Sequence, residues 1–185
     1  MKIKKRNINT LNIIDAEKKY LEQYKEAYIE TERQIKLGII NKRNQLFLNP
    51  DKTDVIDEYK NNRNQEKLPS HYVPSYDFFV VEENNLIGIV HIRVKLTENL
   101  LKYGGHIGYA VNPKYWNMGY GKKILALCLK EYKDLIQEDK ILITCDVDNV
   151  GSYKIIEANG GILENIIENE ENGEKFFTRR YWIKK

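Results

Sequence analysis

Gly104-Gly105-His106-Ile107-Gly108-Tyr109-Ala110-Val111-Asn112-Pro113-Lys114-Tyr115-Trp116-Asn117-Met118-Gly119-Tyr120-Gly121-Lys122 leads into Lys123-Ile124-Leu125-Ala126-Leu127-Cys128-Leu129-Lys130. It reads as strand, glycine-bearing loop and helix. Residues 107–111 carry β-formers at alternate positions. Asn112-Pro113 ends that strand, because proline cannot donate to a ladder. Leu125, Cys128, Leu129 and Tyr132 then recur at helical spacing, an apolar stripe. Two glycines at the mouth of a helix let backbone approach a ligand closely. The first N–H groups of that helix lack internal partners, and the dipole favours negative charge there. The unit therefore predicts an anion site, with Lys122 adding positive charge.

Two familiar phosphate loops do not fit. A nucleotide-triphosphate loop needs Ser or Thr after Gly-Lys and an early glycine; here Lys123 follows Lys122 and Trp116 stands at the early position. A dinucleotide fingerprint needs a third glycine where Ile124 stands.

The composition bounds the rest. The chain has 185 residues, is 42% hydrophobic and 31% charged, and so suits a single globular domain. A net charge of +3 is too small to argue for nucleic acid. No apolar run reaches the ~18 residues of a membrane span. The basic start, Met1 to Arg6, lacks the apolar segment of a secretory signal. Cys128 and Cys145 have no metal-like spacing and read as free thiols of a reducing cytoplasm.

In order, the pattern predicts a short strand over 8–14, with Asp15 capping a helix whose inner face carries Leu21, Tyr24, Tyr28, Glu32 and Ile35 and which ends at Gly38. Residues 39–50 have no clear period. A polar helix over 53–65 turns Val55, Ile56 and Tyr59 inward. Strands over 78–81 and 86–94 form a hairpin across Glu83-Asn84-Asn85, and a short helical segment covers 97–101. After the strand–loop–helix unit come a buried strand over 141–147, a helix over 149–158 and a closing hairpin of strands over 162–167 and 175–183.

The Gly-x-Gly loop between strand–Pro and helix resembles motif A of the GNAT-type N-acetyltransferases, usually R/Q-x-x-G-x-G/A, with Trp116 at the R/Q position. The strings GGHIGY at 104–109 and ITCD-x-DN at 143–149 resemble predicted bacterial acetyltransferases of that family. The resemblance covers 76–183 and implies an α/β (α+β) fold, a central mixed, mostly antiparallel sheet flanked by helices. One domain over 1–185 is expected, its variable N-terminal helices over 1–70 shaping the acceptor pocket. It also implies acetyl coenzyme A as co-substrate. The pantetheine arm would lie against a bulged, splayed strand at Tyr109, Ala110 and Val111. The pyrophosphate would sit on Trp116, Asn117, Met118, Gly119, Tyr120, Gly121 and Lys122, with Asn149 and Ser152 contacting the coenzyme. Asn149 also reads as an ordinary helix cap.

The catalytic groups depart from the family pattern. Where many members carry a tyrosine as acid, Ile156 stands, so either the coenzyme thiol leaves without an acid or another group serves, with Tyr153 as the candidate. His106 occupies the place of a glutamate base, and a pKa near ~6.5 suits it to that role; it also reads as a hydrogen-bonded structural histidine. His91, Arg93 and Glu98 are further pocket candidates. Neither cysteine sits in a nucleophile setting, so direct attack of a primary amine on the thioester in a ternary complex is expected. The amine acceptor is a small molecule or protein. Glu164, Glu168, Glu170, Glu171 and Glu174 read as a solvated turn or as a cation-favouring cluster. No metal, nucleic acid or membrane is expected, and a homodimer stays open. The alternative is a non-catalytic acetyl-CoA-binding or CoA-binding sensor or interaction domain.

Overall fold

The computed structural model describes residues 10–171 and 173–185. Strand β1 (Asn12–Ile14) is shorter than the pattern predicts, and residues 8–9 lie outside the described residues. Asp15 does not cap the next helix: its carboxylate bonds the Arg63 guanidinium. Helix α1 (Leu21–Lys36) instead follows a 3-10 turn over Lys18–Tyr20. Its deepest line runs through Tyr24, Ala27 and Thr31, rotated from the expected stripe because Tyr28 and Glu32 are half-buried. Gly38 ends the helix at φ +68°, its N–H on the Ile35 carbonyl.

Asp54 caps α2 (Val55–Asn61) by accepting from the amides of Ile56 and Asp57, and Val55, Ile56 and Tyr59 are buried as the pattern predicts. Strands β2 (Ser75–Glu82), β3 (Asn85–Arg93) and β4 (Ile107–Val111) follow, then α3 (Tyr120–Tyr132), β5 (Lys140–Asp146), α4 (Val150–Ala158), β6 (Ile162–Glu171) and β7 (Glu174–Lys184). The short segment expected over 97–101 is a single π turn at Leu100–Gly104.

Antiparallel ladders join β1-β2-β3-β4 into one sheet and β5-β7-β6 into another. The central sheet thus opens between β4 and β5, the splay that the resemblance implies. Just before β4, the His106 amide donates to the Leu142 carbonyl of β5 at 2.8 Å and links the two sheets. The β3–β4 register is continuous from Gly88–Val111 to Ile92–Ile107, so the expected bulge on β4 is not there. The bulge lies on β3, where Ile87 is skipped between the pairs Val80–Gly88 and Val81–Leu86. The next residue, Gly88, lies so close to β4 that a Cβ would collide with the Ala110 carbonyl oxygen.

Two apolar clusters form on the sheets. One joins Phe78, Val80 and Ile92 to Ile124, Leu125 and Cys128 of α3, Ile156 of α4 and Ile141, Ile143 and Tyr181 of the second sheet. The other packs α1 and α2 on the opposite face through Tyr24, Tyr59, Phe79 and Ile89. Tyr24 stacks on Phe79 with centroids 5.4 Å apart, and its hydroxyl accepts from the Leu48 amide at 2.7 Å. Burial of an aromatic side chain of this size is worth about 4–6 kcal/mol gross.

Candidate active site

Because β4 and β5 part beyond His106, a cleft of about 1150 Å³ opens between the sheets, lined by both strands, the 116–122 loop, the start of α4 and residues 39–47. Its floor carries Tyr109, Ala110 and Val111, all half-buried. The Tyr109 hydroxyl donates to the Ser152 carbonyl at 3.4 Å across the gap, and burial pushes its phenol up.

The loop at the end of β4 is tied down by side chains. Asn112 donates to the Leu86 carbonyl and accepts from the Lys114 amide. The Trp116 indole N–H donates to the Val111 carbonyl at 2.8 Å, so the residue that departs from motif A clamps the loop to the strand. Asn117 and Gly119 take φ +61° and +79°, and Gly119 is the N-cap of α3. Among the described residues, none of the amides of 117–122 has a hydrogen-bond partner. At Gly121 a Cβ would meet the end of the Ile155 side chain, which would have to turn aside. The loop thus presents free amides and a positive helix end to the cleft, a chemistry suited to phosphate oxygens.

Tyr109, Ala110, Val111, Trp116, Asn117, Gly119, Tyr120, Gly121, Lys122, Asn149 and Ser152 all line the cleft. Met118 does not; its side chain is exposed. Asn149 is the cap of α4, its side chain accepting from the Ser152 amide at 3.0 Å.

The two expected catalytic residues are not brought to this cleft. His106 is fully buried. Its Nδ1 accepts from the Leu142 amide at 2.9 Å, which places the ring proton on Nε2, 3.1 Å from Glu138 Oε2. Burial lowers its pKa, and the Glu138 contact only partly opposes this. A neutral imidazole whose lone pair is already used joins the two sheets and does not face the cleft. Tyr153 lies outside the lining, its ring 4.7 Å beneath the Arg179 guanidinium. Ile156, at the family's tyrosine position, is a core residue.

Arg93 reaches the cleft; its Nη1 donates to the Gly104 and Gly105 carbonyls, and burial lowers its pKa to about 10. His91 pairs with Asp77 outside the lining. Glu98 is exposed and outside it too. Of the acidic hairpin residues Glu171 lines the cleft, while Glu164 and Glu168 pair with Arg180 and Lys175. Asp146 and Arg43 also line the cleft, and neither has a role in the sequence reading. Asp146 closes β5, and Arg43 comes from the stretch without a period, so no local signal joined them. Cys145 also lines the cleft, its thiol pushed to about 12 by burial. No cluster of metal-ligating side chains occurs among the described residues.

The sequence profile of the acetyltransferase (GNAT) domain matches residues 41–162. The chain belongs to that family, and is an acyltransferase. Solved structures share the fold. The microcin C7 self-immunity acetyltransferase MccE, in complex with acetyl-CoA and AMP, is similar at a TM-score of 0.67 and 19% identity, over 96% of this chain and 93% of that one. A GNAT-family acetyltransferase from Bacillus anthracis is similar at 0.67 and 22% identity, over 96% of both chains. A spermidine N-acetyltransferase chimera from Vibrio cholerae and hSSAT is similar at 0.61 and 18%, over 94% of both. No curated protein matches the chain. No described helix is long and apolar enough to cross a membrane.

Proposed function

We propose that this acyltransferase moves the acetyl group of acetyl coenzyme A to a primary amine by direct attack in a ternary complex. The observation that carries the reading is the row of unpartnered amides over 117–122 at the N-terminus of α3, opening into the gap beside β4. The pyrophosphate binds those amides and Lys122. The pantetheine arm lies along Tyr109–Val111, where β4 has a partner only on its β3 side. A backbone N–H at that edge polarises the thioester carbonyl, a contribution that is often the largest in acyl transfer. Asn149 and Ser152 close the gap from α4. Both cysteines have thiols raised to about 12, which keeps them protonated and supports attack by the amine itself.

The MccE structure holds acetyl-CoA, and other structural neighbours act on a ribosomal protein's α-amino group or on spermidine. These neighbours support a coenzyme of this kind and an acceptor that is an amine of a protein or small molecule. Residues 10–70 form one domain with the core and supply the acceptor wall, and the setting is the cytoplasm. Titration calorimetry with acetyl-CoA, free coenzyme A and ATP tests the reading. Micromolar binding of both coenzymes and none of ATP is expected; equal binding of ATP refutes it. Release of coenzyme thiol with an amine then tests transfer.

A further inference from the structure

The acceptor side of the cleft contains one unusual carboxylate. Among the described lining residues Asp148 and Glu171 are exposed acids, whereas Asp146 is 8% exposed. Asp146 ends β5 beside Cys145 and opposite Thr178 of β7. Its Oδ2 is buried and has no hydrogen-bond partner. Arg43 Nε lies 3.4 Å from it, within ion-pair reach but without hydrogen-bond geometry, and is itself buried and unpartnered. The Arg43 guanidinium is held 4.3 Å over the Phe176 ring. Two opposite charges that face each other with unfilled hydrogen bonding form a site that a third group completes, because unmet buried polar atoms are costly.

We propose that Asp146 receives the ammonium of the acceptor and removes its proton, and that Arg43 is the positioning residue that sets the carboxylate's basicity. The inference rests on the acetyl-CoA reading above. An ammonium is a compact three-donor cation, suited to a cleft-lining carboxylate whose hydrogen bonding is unfilled. One N–H proton passes to the Asp146 carboxylate. The freed nitrogen lone pair attacks the thioester carbonyl carbon, and the C–N bond forms. The tetrahedral intermediate collapses with cleavage of the C–S bond. The leaving thiolate takes the second nitrogen proton and becomes the coenzyme thiol. Asp146 then gives its proton to water, so one proton is released per turnover.

The charged and titratable groups around Asp146 are Arg43 from the 42–44 turn, Asp148 from the loop after β5, and Cys145 on its own strand. Burial raises the Asp146 carboxyl above the usual range, Arg43 opposes this, and Asp148 adds to it. The raised value narrows the gap to an amine near ~10.4, which favours the transfer.

The test uses the full chain with acetyl-CoA and two probe amines, spermidine and a short peptide with a free amino terminus. Coenzyme affinity is measured separately by calorimetry. Asp146→Asn, equal in shape, should lower kcat/KM by about 100-fold or more, the upper range for loss of a general base, and leave coenzyme affinity within about twofold. It should also remove the acid limb of the kcat/KM profile. Arg43→Gln should keep that limb and move it to higher pH, since the opposing cation is gone. Asp146→Asn with wild-type kcat/KM, loss of coenzyme binding in that variant, or an Arg43→Gln profile superposable on wild type overturns the proposal. Wild-type protein that binds acetyl-CoA yet neither binds nor acetylates either amine overturns it and leaves the coenzyme site standing. Failure to bind acetyl-CoA overturns both.

Discussion

Replacing His106 by alanine should unfold the protein at markedly lower temperature. The ring joins the two sheets: Nδ1 accepts from the Leu142 amide and Nε2–H donates to Glu138. Alanine leaves a buried N–H without a partner, a cost of about 1–3 kcal/mol. The void left by a fully buried ring adds about 1–2 kcal/mol. The central figure is about 3.5 kcal/mol, and for a chain of this size each kcal/mol moves Tm by about 2–4 °C, so a fall of about 7–14 °C is expected. His106→Asn should recover part of it, because its Oδ1 falls near the Nδ1 position and can still accept from Leu142.

The pH dependence has a definite sign. Burial lowers the His106 pKa, while the unfolded chain titrates near ~6.5. Below that value the unfolded state binds more protons, so this part of the stability is complete above pH ~6.5 and declines as pH falls. The advantage of wild type over His106→Asn should shrink over the same range. Circular dichroism melts between pH 5 and 8 check this. A His106→Ala Tm within about 2 °C of wild type, about 0.5–1 kcal/mol on the same scale, refutes the joining role. Loss of the acid limb of turnover in a folded His106→Asn protein would return His106 to the role of base.

Gly119→Asp puts a carboxylate and a strained φ at the proposed phosphate loop. With each charge-assisted bond worth about 1.5–3 kcal/mol, coenzyme affinity by calorimetry should fall by about 10-fold to 150-fold or more. Trp116→Phe removes the indole tether to Val111, worth about 0.5–1.5 kcal/mol, and should weaken coenzyme binding about 2–10-fold with little change in Tm. Gly88→Ala drives a Cβ into the Ala110 carbonyl and should cost at least about 1–3 kcal/mol in urea unfolding, as overpacking does.

The sequence carried local information well. Proline at 113 and the alternation before it fix β4 to the residue, and the glycines at 119 and 121 place the start of α3. Asn149 as a cap is legible in the same way. Long-range information was not there. Alternation along 106–111 says which residues share a face, but not that the sheet divides beside His106, which turns a cleft-floor residue into a buried joint. The closing hairpin runs longer than its apolar pattern because β6 has one buried residue, Asn169, and is held through its ladder to β7. Arg43 and Asp146 lie far apart in the chain, and only packing of the aperiodic 39–50 stretch against the second sheet makes them neighbours.

The hydroxyl of Tyr24 holds the Leu48 amide, so the strap that carries Arg43 is anchored to the helical layer, on the side of the first sheet away from α3. Substitutions in α1 and α2 can therefore slide the proposed acceptor wall by small steps, while α3, which follows the anion loop, packs on the opposite face of the sheet. Lineages of such a protein can change customers without retooling the part that handles the donor.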